Sequence, residues 1–230
     1  MKLVNLKKQV EKFFERNSLV KFDWSKLPFL IKKIKKIKIP SWDEKFKNQS
    51  FLFYLLTIGL NFCFWHFKKN RKFKCFNQSG SIGLALAIRQ ALKDFPNEFQ
   101  THNLIENPQK VWRLILSYGK GELLLEKARI KIIKEIGVFL ERIDPFGYDL
   151  ILNKFENKSV NELGDFLIRF LPYTFKDISF AYGIKIEFFK KLRLLLADLI
   201  RFRKLNLKDK EELLIFADYQ LPKLFIAEKL

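Results

Sequence analysis

Phe51-Leu52-Phe53-Tyr54-Leu55-Leu56-Thr57-Ile58-Gly59-Leu60-Asn61-Phe62-Cys63-Phe64-Trp65-His66-Phe67 is the most apolar run of the chain. It falls short of the roughly 20 residues that a membrane-spanning helix requires. Asn61 and His66 place polar groups in its second half, which hydrocarbon disfavours. The run therefore predicts a buried helix over 51–67 at the centre of a water-soluble core, with no membrane partner. Lys68-Lys69-Asn70-Arg71-Lys72 follows at once, and cations suit the negative end of a helix dipole.

Outward from this run, most segments also read as helices. On the N-terminal side, Leu3, Leu6, Val10, Phe13 and Phe14 recur at helical spacing until Asn17-Ser18. Ile31, Ile34 and Ile37 then make a narrow stripe on a basic rod ending at Pro40. That rod reads either as a solvated face or as a phosphate- or membrane-facing helix. Residues 42–49 read as a polar connection. On the C-terminal side, 73–79 reads as a short hairpin or loop. Gly80-Ser81-Ile82-Gly83-Leu84-Ala85 then opens a small-residue helix that Pro96 stops. Helices are predicted over 104–118 and 122–143, separated by Gly119-Lys120-Gly121. Ser159 and Glu162 have the spacing of a capping box for a helix over 160–170, which Pro172 closes. A hairpin is expected over 178–186 around Tyr182-Gly183, and helices over 188–203 and 207–217 complete the chain. The predicted fold is all-α: a single helical domain over 1–230 with at most one small hairpin, and a basic helical region, 1–45, packed on it.

Composition supports one sizeable core, with 48% hydrophobic residues, and 26 Phe against 9 Gly favour helices packed on aromatic rings. The 44 basic and 25 acidic residues give a net charge of +19. Such a surface attracts phosphate, nucleic acid or anionic lipid without choosing among them. Cys63 and Cys75 form no C-x-x-C pair, and with His66 they make only three soft ligands, one short of a closed zinc site. They read as reduced, buried thiols of a cytoplasmic protein, with no metal. Met1-Lys2-Leu3-Val4-Asn5-Leu6-Lys7-Lys8 has no apolar core or cleavage pattern and does not read as a signal peptide.

Two stretches carry chemistry. Asn61, Phe62, Phe64 and Trp65 offer aromatic faces beside a side-chain amide, the means to stack a base and read its edge. The same cluster also reads as plain core. Near the C-terminus, Phe216-Ala217-Asp218-Tyr219-Gln220-Leu221-Pro222-Lys223 interrupts an apolar run with a carboxylate. If a helix starts at Tyr219, Asp218 is its N-cap and the helix end keeps the carboxylate ionised. Such a group either just caps, or stabilises a developing cation and orients a water.

Phe188-Phe189-Lys190-Lys191-Leu192-Arg193-Leu194-Leu195-Leu196-Ala197-Asp198 lies upstream of that stretch, and Leu60-Asn61-Phe62-Cys63-Phe64-Trp65 lies earlier still. Together they resemble the queuosine salvage family, the queuosine 5'-phosphate N-glycosylases. That family carries Leu-Asn-Phe-Ser/Cys-Phe-Trp, an aromatic pair before Lys-Arg, an apolar helix ending in Ala-Asp, and Phe-Ala-Asp-Tyr-Arg-Leu-Pro. The resemblance runs in order over residues 40–225. It implies the helical fold of helix-hairpin-helix DNA glycosylases, Asp218 and Lys190 as the active-site pair, no cofactor, and queuosine 5'-phosphate as a small-molecule substrate. Release of its base, queuine, would then serve tRNA modification. Asn61, Phe62, Phe64, Trp65 and Tyr219 would clamp the deazapurine, and Asp198 either orients the site or makes local helix-end bonds. Two departures stand out. Gly80-Ser81-Ile82 replaces the family's Gly-Tyr-Trp, and the sequence stops at Leu230 where family members continue with further helices; if those helices close the pocket, the expectation is either a compact variant with an altered lid or one that has lost efficiency. The competing readings are a DNA base-excision glycosylase, which the +19 charge would suit although the sequence has no Leu-Pro-Gly-x-Gly hairpin of the kind that grips DNA phosphate, and a non-catalytic basic module. On the favoured reading no stable nucleic-acid complex is expected.

Overall fold

A computed structural model describes residues 24–26, 28–29, 32, 45–66, 71–143, 150–181 and 184–213. The helices expected over 3–14 and along the isoleucine stripe at 31–37 lie largely outside these residues, as does Asp218. Among the described residues the chain is mostly helical, and none of the helices is long and apolar enough to cross a membrane.

The architecture follows from helix α1, Phe51–Gly59, in which every residue except Thr57 is buried. Ser50 caps it by accepting the Phe53 N–H at 3.3 Å. A helix apolar on all sides has to be covered on all sides, and α2 (Gly80–Asp94), α5 (Glu126–Ile143) and α9 (Lys190–Phe202) do so. Rings fill the seams, as the phenylalanine content predicts. Phe51 meets Phe139 edge-on at 6.5 Å, and Phe166 meets Phe170 at 4.8 Å. Tyr54 stacks on Phe202 at 6.5 Å while its hydroxyl donates to the Phe46 carbonyl at 2.6 Å. Phe46 is thus buried, and the segment expected as a polar connection tucks one ring into the core.

Between α1 and α2 come two short antiparallel ladders, β1 (Trp65–His66) with β2 (Arg71–Lys72) and β3 (Lys74–Cys75) with β4 (Gln78–Ser79). Phe76 and Asn77 turn the second at φ 46° and 63°, the left-handed pair that a two-residue hairpin turn demands. Helix α2 lies tight on this hairpin. A Cβ at Gly83 would stand 2.5 Å from the Gln78 carbonyl oxygen, so only glycine allows that approach.

Where 104–118 predicted one helix, the chain forms α3 (Thr101–Glu106) and α4 (Pro108–Ser117). Pro108 has no N–H and pushes Asn107 out of helical geometry, to φ −122° and ψ 42°. Phe95 before Pro96 and Leu171 before Pro172 adopt nearly the same angles. Leu125 at φ 60° delays the next helix from 122 to Glu126. After α6 (Leu150–Asn153), the capping box forms as expected at the head of α7, Val160–Phe170: Ser159 Oγ accepts the Glu162 N–H at 3.0 Å, and Glu162 accepts the Ser159 N–H at 2.8 Å.

Pro172–Phe175 makes the single-turn helix α8, and the expected hairpin follows as β5 (Ile178–Ala181) paired with β6 (Ile184–Glu187). Phe189, at φ 47°, sets the start of α9 at Lys190. The helix expected over 207–217 is absent from its described part, which holds only a 3-10 turn at Lys210–Glu212. Asp209 is left-handed at φ 52°, its carboxylate accepts the Val160 N–H at 3.0 Å, and Lys208 N–H donates to the Lys158 carbonyl at 2.8 Å. The segment is tied across the start of α7 instead of coiling on itself.

Candidate functional site

The helix expected over 51–67 ends at Gly59. Leu60 N–H still bonds Leu56 O at 3.0 Å, but Asn61 reaches only to Ile58, at 3.1 Å, and Cys63 turns left-handed at φ 47°. The carbonyls freed past this end are taken up by Arg129, the fourth residue of α5 and fully buried. Its guanidinium donates to the carbonyls of Leu60 and Phe62 through Nη1 and Nη2 and approaches Cys63 O at 3.5 Å, while Nε donates to Leu124 O at 3.0 Å. These carbonyls would serve the ladder of a continuing helix. A planar fork of donors suits this arrangement in a way that a lysine would not. The guanidinium also lies 4.1 Å from the Phe62 ring centroid, 5.6 Å from Trp112 and 5.9 Å from Phe64. Burial lowers the Arg129 pKa to about 10, which leaves it charged at neutral pH.

Loop 60–64 therefore presents its side chains from a backbone held by a buried cation. Asn61, Phe62 and Phe64 are half-buried, and Trp65 on β1 is 38% exposed with Lys72 Nζ 5.2 Å over its ring. Cys63, expected to be buried, is exposed, because the left-handed turn rotates it outward; Cys75 is buried as expected. Among the described residues no group of His, Cys, Asp and Glu gathers to hold a metal.

The start of α9 reaches the same loop. Lys190 is the first residue of that helix and half-buried. Its backbone N–H donates to Asp177 Oδ2 at 3.0 Å, so Asp177, just before β5, caps the helix from outside it. Asp177 Oδ1 is buried without a hydrogen-bond partner. Burial pushes this carboxyl above its usual range, against the pull of backbone N–H bonds and of Lys191. Lys191 extends to the Gly59 carbonyl at 3.5 Å and stands 5.1 Å from the Phe62 centroid. Burial lowers its pKa, Asp177 and Glu135 favour its charge, and Arg129 opposes it. Glu135 is engaged elsewhere, accepting the N–H groups of Tyr173 and Thr174 at 2.8 Å each and the Thr174 hydroxyl at 2.6 Å. Asp198 lies about 12 Å further along α9. Asp218 and Tyr219 fall outside the described residues.

The structure thus brings Asn61, Phe62 and Phe64 into one loop, carries Trp65 on from it, and sets the first turn of α9 against its base. Sequence reasoning missed Arg129, Lys191 and Asp177. Arg129 had left a signal, since it falls three, four and seven residues before the buried Ile132, Ile133 and Ile136, on the apolar stripe of its helix.

The family model described as queuosine salvage protein matches residues 41–229, a span that takes in loop 60–64, Asp177 and the whole of α9. No curated protein matches the chain. The chain belongs to the queuosine salvage protein family, and its role lies in queuosine salvage, on a small-molecule substrate.

Proposed function

We propose that the protein hydrolyses the N-glycosidic bond of queuosine 5'-phosphate and releases queuine. The observation that supports this most is the pairing of loop 60–64, whose rings and amide suit a flat base, with a cation-rich helix start suited to an anion. As the bond from the sugar C1' to the base nitrogen breaks, its electron pair leaves with the base and positive charge builds on the sugar. Asp218 stabilises that charge and orients the water whose oxygen joins C1', and the proton that this water loses is balanced by the one that the departing base nitrogen takes up. Lys190 partners Asp218 and holds substrate hydroxyls or phosphate. The deazapurine lacks the ring nitrogen that purine hydrolysis commonly protonates, so Asn61 and the rings of Phe62, Phe64, Trp65 and Tyr219 hold the leaving base by its edges and faces.

Chromatography of a reaction with queuosine 5'-monophosphate should show free queuine, and far less guanine from guanosine 5'-monophosphate. Equal release from both would defeat the specificity. The +19 charge keeps duplex DNA as the second substrate to examine. A protein that neutralises many phosphates loses affinity steeply with salt, whereas a mononucleotide site does not. Lesion-selective duplex binding accompanied by base release would replace the first reading.

A further inference from the structure

Helix α5 buries one face, and the face it shows to water carries cations in a row. Arg129, Ile132, Ile133 and Ile136 are buried, while Lys127, Lys131, Lys134 and Arg142 stand exposed on the opposite side. At 1.5 Å per residue the row spans about 22 Å. A solvated helix face usually offsets its cations with acids three or four residues away. Here, among the described residues, none of the four cations forms an ion pair. Lys127 and Lys131 are instead like charges four residues apart, which costs the helix stability. Glu135, the carboxylate four residues beyond Lys131, is turned to the start of α8, where Tyr173 and Thr174 occupy it. Lys131 sets its Nζ 4.0 Å from the Tyr173 ring centroid, and that residue is 42% exposed.

A row of unpaired cations beside an open aromatic ring complements a single nucleic-acid strand, with charges for successive phosphates and a ring on which a base stacks. An anionic membrane fits less well, because the apolar residues that would enter it are the ones α5 buries in the core. On the function proposed above the substrate is a ribonucleotide, which RNA breakdown supplies, so RNA is the strand at hand. We propose that the exposed face of α5, with Tyr173, is a docking surface for single-stranded RNA. The contact is electrostatic and salt-labile rather than a stable complex. It lies on the side of α5 opposite Arg129, whose guanidinium meets loop 60–64, so it is separate from the base loop.

The test is fluorescence anisotropy of a labelled oligouridylate of about 12 nucleotides, titrated at salt concentrations from about 50 to 200 mM. Wild type is compared with the triple variant Lys127→Gln, Lys131→Gln, Lys134→Gln and with a control that loses the same charge from other exposed lysines, Lys93→Gln, Lys208→Gln, Lys210→Gln. The α5 variant should bind about tenfold more weakly and flatten the slope of log K against log salt by about 2, while the control stays within about twofold of wild type. Tyr173→Ala should weaken binding about fivefold or more and leave the salt slope unchanged. Equal losses in the two triple variants would show that net charge alone attracts the strand and would overturn the proposal. So would tighter binding to duplex DNA, or to vesicles of phosphatidylserine and phosphatidylcholine, than to the oligouridylate. Binding is read without turnover, so its failure leaves the proposed hydrolysis standing, and a protein that releases no queuine is still judged on the strand.

Discussion

Arg129 on α5 and Lys191 on α9 approach the same ring from two helices, at 4.1 and 5.1 Å from the Phe62 centroid. Both are drawn out of water and both lose basicity through burial. Arg129 has backbone carbonyls for all its described hydrogen bonds, and those bonds hold the chain where it leaves α1. Among the described residues Lys191 has one long bond. A buried charge held by several backbone carbonyls belongs to the architecture, whereas one held by a single long bond is poised for a ligand. The contrast predicts that substitution at the first position damages the fold and at the second damages recognition.

The largest expected effect on stability is therefore at Arg129. Arg129→Met leaves the Leu60 and Phe62 carbonyls without their buried donor, a loss of about 3 to 5 kcal/mol. Thermal unfolding should show a midpoint lower by roughly 10 °C. A variant as stable as wild type would erase the distinction between the two cations.

Next in size is Trp65→Ala. Trp65 is exposed, so stability should stay within about 0.5 kcal/mol, while substrate binding weakens by about 1 to 3 kcal/mol if the ring stacks on the base. Calorimetric titration alongside thermal unfolding separates these outcomes, and lost stability with unchanged affinity would make the ring structural.

These two residues also show how far the sequence could be read. The Ser159–Glu162 box was legible because both its bonds lie within three residues. The end of α1 was not, since the donor that takes its carbonyls is 69 residues from Leu60 and 67 from Phe62. The break at Asn107-Pro108 went unread inside an otherwise periodic stretch, although Pro96 and Pro172 were read correctly as stops. The aromatic loop was visible as a motif. The reach of Lys191 to the Gly59 carbonyl, 132 residues away, and to the Phe62 ring was not legible.

A smaller effect is expected at Lys191 itself. Lys191→Met removes a partly desolvated charge, so stability should change by less than about 1 kcal/mol or even rise; a loss as large as that of Arg129→Met would put both cations in one class.

The smallest effect concerns pH. Burial raises the Asp177 pKa above its ordinary 3.8, so the folded protein takes up this proton more readily than the unfolded chain. The ionised carboxylate therefore costs stability above the folded pKa, and the cost fades as pH falls through it toward 3.8. Relative to Asp177→Asn, which keeps an acceptor for the Lys190 N–H, wild type should gain stability across that window. Urea unfolding at successive pH values measures the difference, and the opposite slope would mean that the Asp177 pKa is lowered.

The central claim is that the cleavage chemistry comes from Asp218, while the loop and Lys190 hold the substrate. Single-turnover release of queuine from queuosine 5'-phosphate by Asp218→Asn, with binding measured on the same preparation, tests it most directly. Asn keeps the shape and capping ability of Asp and removes only the charge. The account predicts a rate lower by about a hundred- to a thousandfold, roughly 3 to 4 kcal/mol, with substrate still bound. A rate within a few-fold of wild type would contradict it and leave Asp218 as a cap.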